Sequence, residues 1–278
     1  MPTRSPGVIA VLVTSLTAAC VTPSAPAVTV DVSAEPPQGV DLAALSDDFT
    51  DTSSLALWDR FEPMETDGAG FESLTVESAG VGVLRAVPTA SVWYATERGA
   101  ALLKDVAGDV ALTARVRALG REGDHPSGAW SLVGVLLRAP AEDGTAENWV
   151  YLTTGSDSMG RPTLDSRSTI NGSSLYELVP AHWDWVELRV VRVGASVVHL
   201  YRLDEGPWRL LRVVQRPDLP DELQAGINVL TGFGGGRVDL GAEVDYVHFS
   251  AVDVSDELST ALANGTATEA EVVAEFGG

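Results

Sequence analysis

The sequence predicts an all-β chain, two antiparallel sheets packed as a sandwich, with a short helix at the C-terminal end. Three observations carry this. Apolar and polar residues alternate with period two through more than a dozen short runs. Gly, Pro and Asp clusters separate those runs. No strand pattern is followed by a long amphipathic helix, which argues against a parallel α/β sheet.

The chain opens on a leader. Arg4 is the only charged residue before Cys20, and residues 7–19 form a 13-residue uncharged run. Such a run is shorter than the roughly 20 residues a membrane-spanning helix needs, and it suits a signal-peptide apolar region. Cys20 is the sole cysteine of the 278 residues, so no internal disulfide can form. Leu16-Thr17-Ala18-Ala19-Cys20 resembles the bacterial lipoprotein lipobox, with the favoured Leu one place early and Thr17 in its position. The resemblance implies lipidation of Cys20 and a membrane anchor. Val21 rather than Asp after the Cys implies, again by resemblance, the outer membrane. An ordinary secretory signal with an incidental Cys is the alternative. Residues 20–45 then read as a tether. Pro23, Pro26, Pro36 and Pro37 among small residues make an extended, disordered spacer, about 80 Å if fully stretched.

The sandwich is assigned to 46–252. Strands are expected at 48–50, 57–61, 73–76, 81–86, 91–96, 101–106 and 109–118, then, after a polar loop at 119–128, at 130–138 and 148–154. Short strands at 163–169 and 175–179 precede a meander at 183–193, 197–203 and 208–214. There Val186, Leu188 and Val190 share one face, and Trp185, Glu187 and Arg189 the other. Gly194-Ala195 and Asp204-Glu205-Gly206-Pro207 supply its turns. Strands at 223–230 and 238–252 close the domain around a flexible GFGGG loop at 232–236. Residues 253–278 form an acidic tail. Thr268 with Glu271 makes a capping box, and a short helix at 269–276 is expected, peripheral and frayed.

Several of these segments resemble the concanavalin A-like, laminin G-like jelly-roll sandwiches. Asp47-Asp48-Phe49 with Trp58 is similar to their opening strand, and Gly108-Asp109-Val110-Ala111-Leu112 to a following one. Gly134-Val135-Leu136-Leu137-Arg138 with Asn148-Trp149-Val150 is similar to the central pair. The meander with its Asp-Glu-Gly-Pro-Trp turn, and Val244-Asp245-Tyr246-Val247-His248-Phe249, complete the set. The nearest likeness is to a bacterial subgroup of unknown function related to C-terminal sandwiches of xylosidases. It implies a jelly roll over roughly 46–250. These motifs are structural and speak to fold more than activity.

Three constellations could carry function. Trp93, Tyr94, Trp130, Trp149, Tyr151, Trp183, Trp185, Tyr201 and Trp208 lie in expected strands. Such rings can stack on sugar faces, or simply fill a wide core. Asp47, Asp48, Asp51 and Asp245 could gather at the paired first and last strands and take Ca²⁺, or be ordinary turn residues. Glu243 and Asp245, two apart on a strand, resemble part of a glucanase Glu-x-Asp-x-x-Glu motif, but His248 stands where the acid/base carboxyl is needed, so no catalytic residue is assigned. The four histidines show no zinc spacing. A formal charge of −21 excludes phosphate-rich partners such as nucleic acid. The expectation is an envelope lipoprotein that binds glycans without catalysis. The rivals are a jelly-roll hydrolase or lyase, and a structural or protein-binding module.

Overall fold

A computed structural model describes residues 41–63, 70–77, 82–123, 125–141, 146–181, 184–233 and 238–278. The residues expected to form the leader and most of the tether, Cys20 among them, and Trp183 lie outside the described residues.

Among the described residues the alternating runs become β1 (Asp59–Phe61), β2 (Gly70–Glu77), β3 (Val83–Ala90), β4 (Ala101–Ala107), β5 (Val110–Leu119), β6 (Ser131–Ala139) and β7 (Asn148–Ser156). They continue as β8 (Pro162–Ile170), β9 (Ser173–Pro180), β10 (Val186–Val193), β11 (Ser196–Leu203), β12 (Arg209–Gln215), β13 (Glu222–Thr231) and β14 (Gly241–Ala251). Two antiparallel seven-stranded sheets result. The first has the order β1-β4-β13-β6-β7-β8-β9, the second β12-β11-β10-β5-β14-β3-β2. This is the jelly-roll sandwich that the alternation and the resemblance predict.

The core lies between the sheets because each strand sends every second residue inward. Val186, Leu188 and Val190 of β10 meet Val116, Ala114 and Leu112 of β5 in register, all of them buried. Val133, Val135, Val150, Leu152, Ile227 and Val229 answer from the first sheet. Asp47 pairs with Val247, so the start of the domain joins its last strand as expected. The Asp204-Glu205 turn places both residues at positive φ (44° and 61°), the pattern of a type I′ hairpin. β14 carries a bulge between Val244 and Tyr246. The extra residue, Asp245, lets both Val244 and Val247 point into the core although they are three apart.

Three expectations change. Residues 48–50 form no strand. Residues 91–96 are not a strand either: the segment between β3 and β4 leaves the second sheet and passes over the outward face of the first. Beyond the sandwich the tail holds two helices rather than one, α1 (Asp256–Ala263), capped by Ser255, and α2 (Glu269–Phe276), with the capping box of Thr268 and Glu271 in place. Leu262, Val272 and Phe276 are buried against Val191, Val193, Val198, Leu200 and Trp208. Each buried apolar side chain of this kind contributes about 1.5–3 kcal/mol, so the tail docks on the outward face of β10–β12.

Candidate functional site

The site lies on the face of the first sheet turned away from the core. Residues opposite one another in register share a face. One row across the sheet runs Leu103, Gly226, Leu136, Tyr151, Arg167, Tyr176. The next runs Ala101, Asn228, Gly134, Thr153, Asp165. Glycine at 134 and 226 is a packing requirement. A Cβ at Gly134 would sit 2.1 Å from the Leu152 carbonyl oxygen, and one at Gly226 2.0 Å from that of Leu102. Only a residue without Cβ permits so close an approach of neighbouring strands.

The segment joining β3 to β4 crosses this face. The Ser91 hydroxyl donates to the Val229 carbonyl and accepts from the Ala100 N–H at 2.8 Å. Trp93, fully buried, meets Trp149 edge-on with ring centroids 5.9 Å apart. Trp149 stacks flat on Tyr151 at 5.2 Å. A tight turn follows, with Ala95 at φ +55° and its N–H donated to Ser174 Oγ of β9 at 2.9 Å. Strand geometry loses here because the β13, β6, β7 and β8 backbones already pair laterally. A segment lying above them has no ladder to join and holds itself through side chains.

Where this segment reaches β8 and β9 a pocket of about 160 Å³ opens, with Trp93 at its base and Tyr94, Trp130, Arg167, Tyr176 and Phe233 around it. Tyr94, Tyr176 and Phe233 are 38%, 50% and 68% exposed, so these rings are available to a ligand. Tyr94 meets Phe233 edge-on, as Trp130 meets Tyr176. Trp130 sits at φ +58°, a left-handed conformation costing a bulky residue of order 1–3 kcal/mol. It lies at the entry to β6, and its N–H donates to the Asp157 carbonyl at 3.1 Å.

Arg167 is caged. Its guanidinium carbon lies 4.7–5.6 Å from the ring centres of Tyr176, Trp130, Tyr94 and Tyr151. Nη2 donates to Asp165 Oδ2 at 2.6 Å, and the Tyr151 hydroxyl to the same oxygen at 3.3 Å. Burial raises the Asp165 carboxyl to about 6 against the opposing pull of Arg167. Burial likewise lifts the Tyr151 hydroxyl well above the usual phenol range. Four buried polar atoms of this face find no hydrogen-bond partner: Asp165 Oδ1, Arg167 Nε, and Asn228 Oδ1 and Nδ2. Orphans of that kind are rare in folded proteins, and ordered solvent, a bound ion or local strain accounts for them where they occur. Farther along the face Arg138 is enclosed with Glu147 at 2.6 Å and covered by Phe61 at 4.0 Å.

Of the nine aromatic candidates, Trp93, Tyr94, Trp130, Trp149 and Tyr151 come together here. The others do not. Trp185 lies on the outward face of the second sheet beneath Arg115 and Arg117, each 4.6 Å from its ring. It borders a hollow of about 450 Å³ in which Arg115 pairs with Asp245 and Arg202 with Glu187. Trp208 is buried beneath α2, and Tyr201 packs on the main core. The four Asp residues proposed for Ca²⁺ are used singly. Asp47 accepts from the Phe49 N–H and Trp58 Nε1, Asp48 meets His248 at 2.7 Å, Asp51 caps a 3-10 turn, and Asp245 takes Arg115. Among the described residues no three acidic, His or Cys side chains meet as a metal-binding group. Glu243 and Asp245 serve ion pairs too, Glu243 with Arg117 and Arg85.

Sequence reasoning missed Arg167, Asp165, Tyr176, Phe233 and Asn228. The alternation of Asp165, Arg167 and Thr169 marks one face of a strand, yet a charged alternate residue is what a solvated face also shows. Phe233 sat inside a glycine loop with nothing to single it out.

No family model matches the sequence, and no curated protein does. Solved structures do match. A functionally unknown protein from Saccharomyces cerevisiae superposes with a TM-score of 0.52 at 18% identity, over 72% of this chain and 99% of that one. The GH43 BlXynB protein from Bacillus licheniformis gives 0.56 at 12% identity, over 74% and 39%. The xylan beta-1,4-xylosidase from Bacillus halodurans C-125 gives 0.54 at 13% identity, over 79% and 41%. The fold is a two-sheet antiparallel jelly-roll β-sandwich. The chain spans about two-fifths of the length of the two bacterial proteins.

Proposed function

We propose that the protein binds carbohydrate without catalysis, at the aromatic pocket on the outer face of the first sheet, and that it acts at the cell envelope through a lipid on Cys20. One observation carries the binding reading. The pocket presents Tyr94, Trp130, Tyr176 and Phe233, and among the described residues no Asp or Glu lines it. Aromatic rings supply the faces on which sugar rings stack. Glycoside hydrolysis uses two carboxyls flanking the bond, about 5–5.5 Å apart in retaining enzymes. Asp165 stands alone behind Arg167 and is fully buried. The left-handed Trp130 supports the same reading, because strain of that kind collects at functional positions.

The size of the pocket restricts the ligand. At about 160 Å³ it is well below the roughly 300–1,000 Å³ of sites for drug-sized ligands. With Trp93 filling the rest of the face, it takes a single ring or a chain end, not a run of sugars laid along the sheet. The likeness of the sandwich to part of a xylan beta-1,4-xylosidase supports a role in holding a glycan near a cell.

A glycan array probed with the purified protein tests this. Binding to a set sharing one terminal sugar is expected, with loss of signal in Tyr176→Ala and Phe233→Ala, whose exposed rings can be removed without opening the core. An array with no signal, or a signal both variants retain, ends the proposal. The anchor is tested separately: metabolic labelling with a fatty acid should mark the wild-type protein and not Cys20→Ser.

A further inference from the structure

We propose that the pocket selects a sugar end bearing a carboxylate, a uronic acid, with Arg167 gripping the acid group and the sugar ring against Trp130 and Tyr176. This rests on the carbohydrate reading above and names its ligand class.

The argument begins with what lines the pocket. Arg167 is its one charged residue among those described, and no carboxylate lines the pocket; the carboxylate that competes for the guanidinium, Asp165, lies behind it. A guanidinium matches a carboxylate through paired donors, and charge-assisted bonds of this kind are roughly twice as strong as neutral ones. Asp165 engages only Nη2; Nε is sealed beneath the surface together with Asp165 Oδ1, so the ligand's acid group meets the guanidinium at Nη1. The four surrounding rings hold the guanidinium plane, so little rotamer entropy is lost when a ligand docks. A neutral sugar fits this lining less well. Its hydroxyls need acceptors, and the spare carboxylate oxygen, Asp165 Oδ1, is sealed beneath the surface.

Charge on the rest of the molecule narrows the class further. The chain carries a formal −21, so its long-range field repels a polyanion. One acidic ring at a chain end satisfies Arg167 without bringing further negative charge to the surface.

The cage also couples binding to protons. The groups facing Arg167 are Asp165 on its own strand, Tyr151 on β7, Tyr176 on β9, Tyr94 of the crossing segment, and Trp130. Of these, Asp165, held near 6, is the one that titrates close to neutrality. Protonating it removes the counter-charge from Arg167 and leaves the guanidinium free for the ligand's carboxylate.

The test is calorimetric titration of the full chain with methyl glucuronide and methyl galacturonide against the matching neutral glycosides. The expected result is at least tenfold tighter binding of one uronide over its neutral counterpart. That preference should increase from pH 7.5 to 5 in the wild type, not in Asp165→Asn, and should disappear in Arg167→Lys. Because substitutions at a buried arginine can unfold the chain, the wild-type Arg167 Nε–H resonance supplies a second readout. It should shift on adding the uronide and not the neutral glycoside. Equal affinity for both sugars, or an unmoved Nε–H signal in a protein that binds them, overturns the acid preference and leaves the carbohydrate reading standing. Failure to bind uronides, neutral glycosides and every sugar on the array overturns both.

Discussion

Between about pH 4 and 6 two buried groups should pull the stability of this protein in opposite directions and nearly cancel. His199 of β11 is fully buried, with Nδ1 2.8 Å from Ser166 Oγ and Nε2 without a partner. Burial, reinforced by the positive charges of Arg212 and Arg216, lowers it from 6.5 to about 3. The folded value lies below the unfolded one, so the unfolded chain takes the proton first. The stability this group contributes is complete above 6.5 and is lost as pH falls toward 3. Asp165 runs the other way. Its folded value, about 6, lies above the unfolded 3.8. Its contribution is complete below 3.8 and is lost as pH rises through 6. Each linkage has a slope of about 1.4 kcal/mol per pH unit. Over the shared two units each amounts to about 3 kcal/mol of opposite sign.

Single substitutions should expose the two halves. Urea unfolding followed by tryptophan fluorescence at pH 6, 5 and 4 gives the free energies. The stability of His199→Gln, measured against wild type, should rise by about 3 kcal/mol from pH 6 to pH 4, because only the Asp165 linkage is left. The same difference for Asp165→Asn should fall by about 3 kcal/mol. Comparing differences removes the contribution of the many surface carboxylates common to all three proteins. A His199→Gln difference that stays constant within about 0.5 kcal/mol over this range would mean that the imidazole is not held neutral in the core, and the reasoning fails.

Three further outcomes are expected. Gly134→Ala should destabilise by about 1–3 kcal/mol or more, read as a lower urea midpoint, since its Cβ would meet the Leu152 carbonyl oxygen; an unchanged midpoint would show that the strands do not approach so closely. Phe276→Ala should cost about 3 kcal/mol and speed hydrogen exchange in α1 and α2 before the sheets, whereas uniform loss across the chain would argue against a separately docked tail. Removing the cap with Thr268→Ala should cost about 1 kcal/mol, confined to α2 in the same exchange experiment.

Local chemistry carried much of the architecture. The Val186-Leu188-Val190 stripe, the turns at Gly194 and Asp204-Glu205, and the Thr268–Glu271 box are decided within a few residues by side-chain alternation, permitted φ values and reciprocal capping. For that reason the strands, the meander and α2 were legible in the amino-acid order. The segment at 91–96 was not, although Val92, Trp93 and Tyr94 have every strand preference. Whether such a stretch pairs or lies across a sheet depends on whether a free edge is beside it, and that edge is supplied by distant strands.

The candidate site depends on distance in the same way. Tyr94, Trp130, Arg167, Tyr176 and Phe233 come from separate parts of the chain and meet only when β6, β7, β8 and β9 pair in register. β6 is buried along its whole length, so its sequence reads as core on both sides and cannot say which side faces a ligand. The amino-acid order determined which residues alternate and where the chain turns. Only tertiary pairing decided which of two apolar faces would enclose a core and which would close around an arginine, because that choice depends on contacts between residues far apart in the chain.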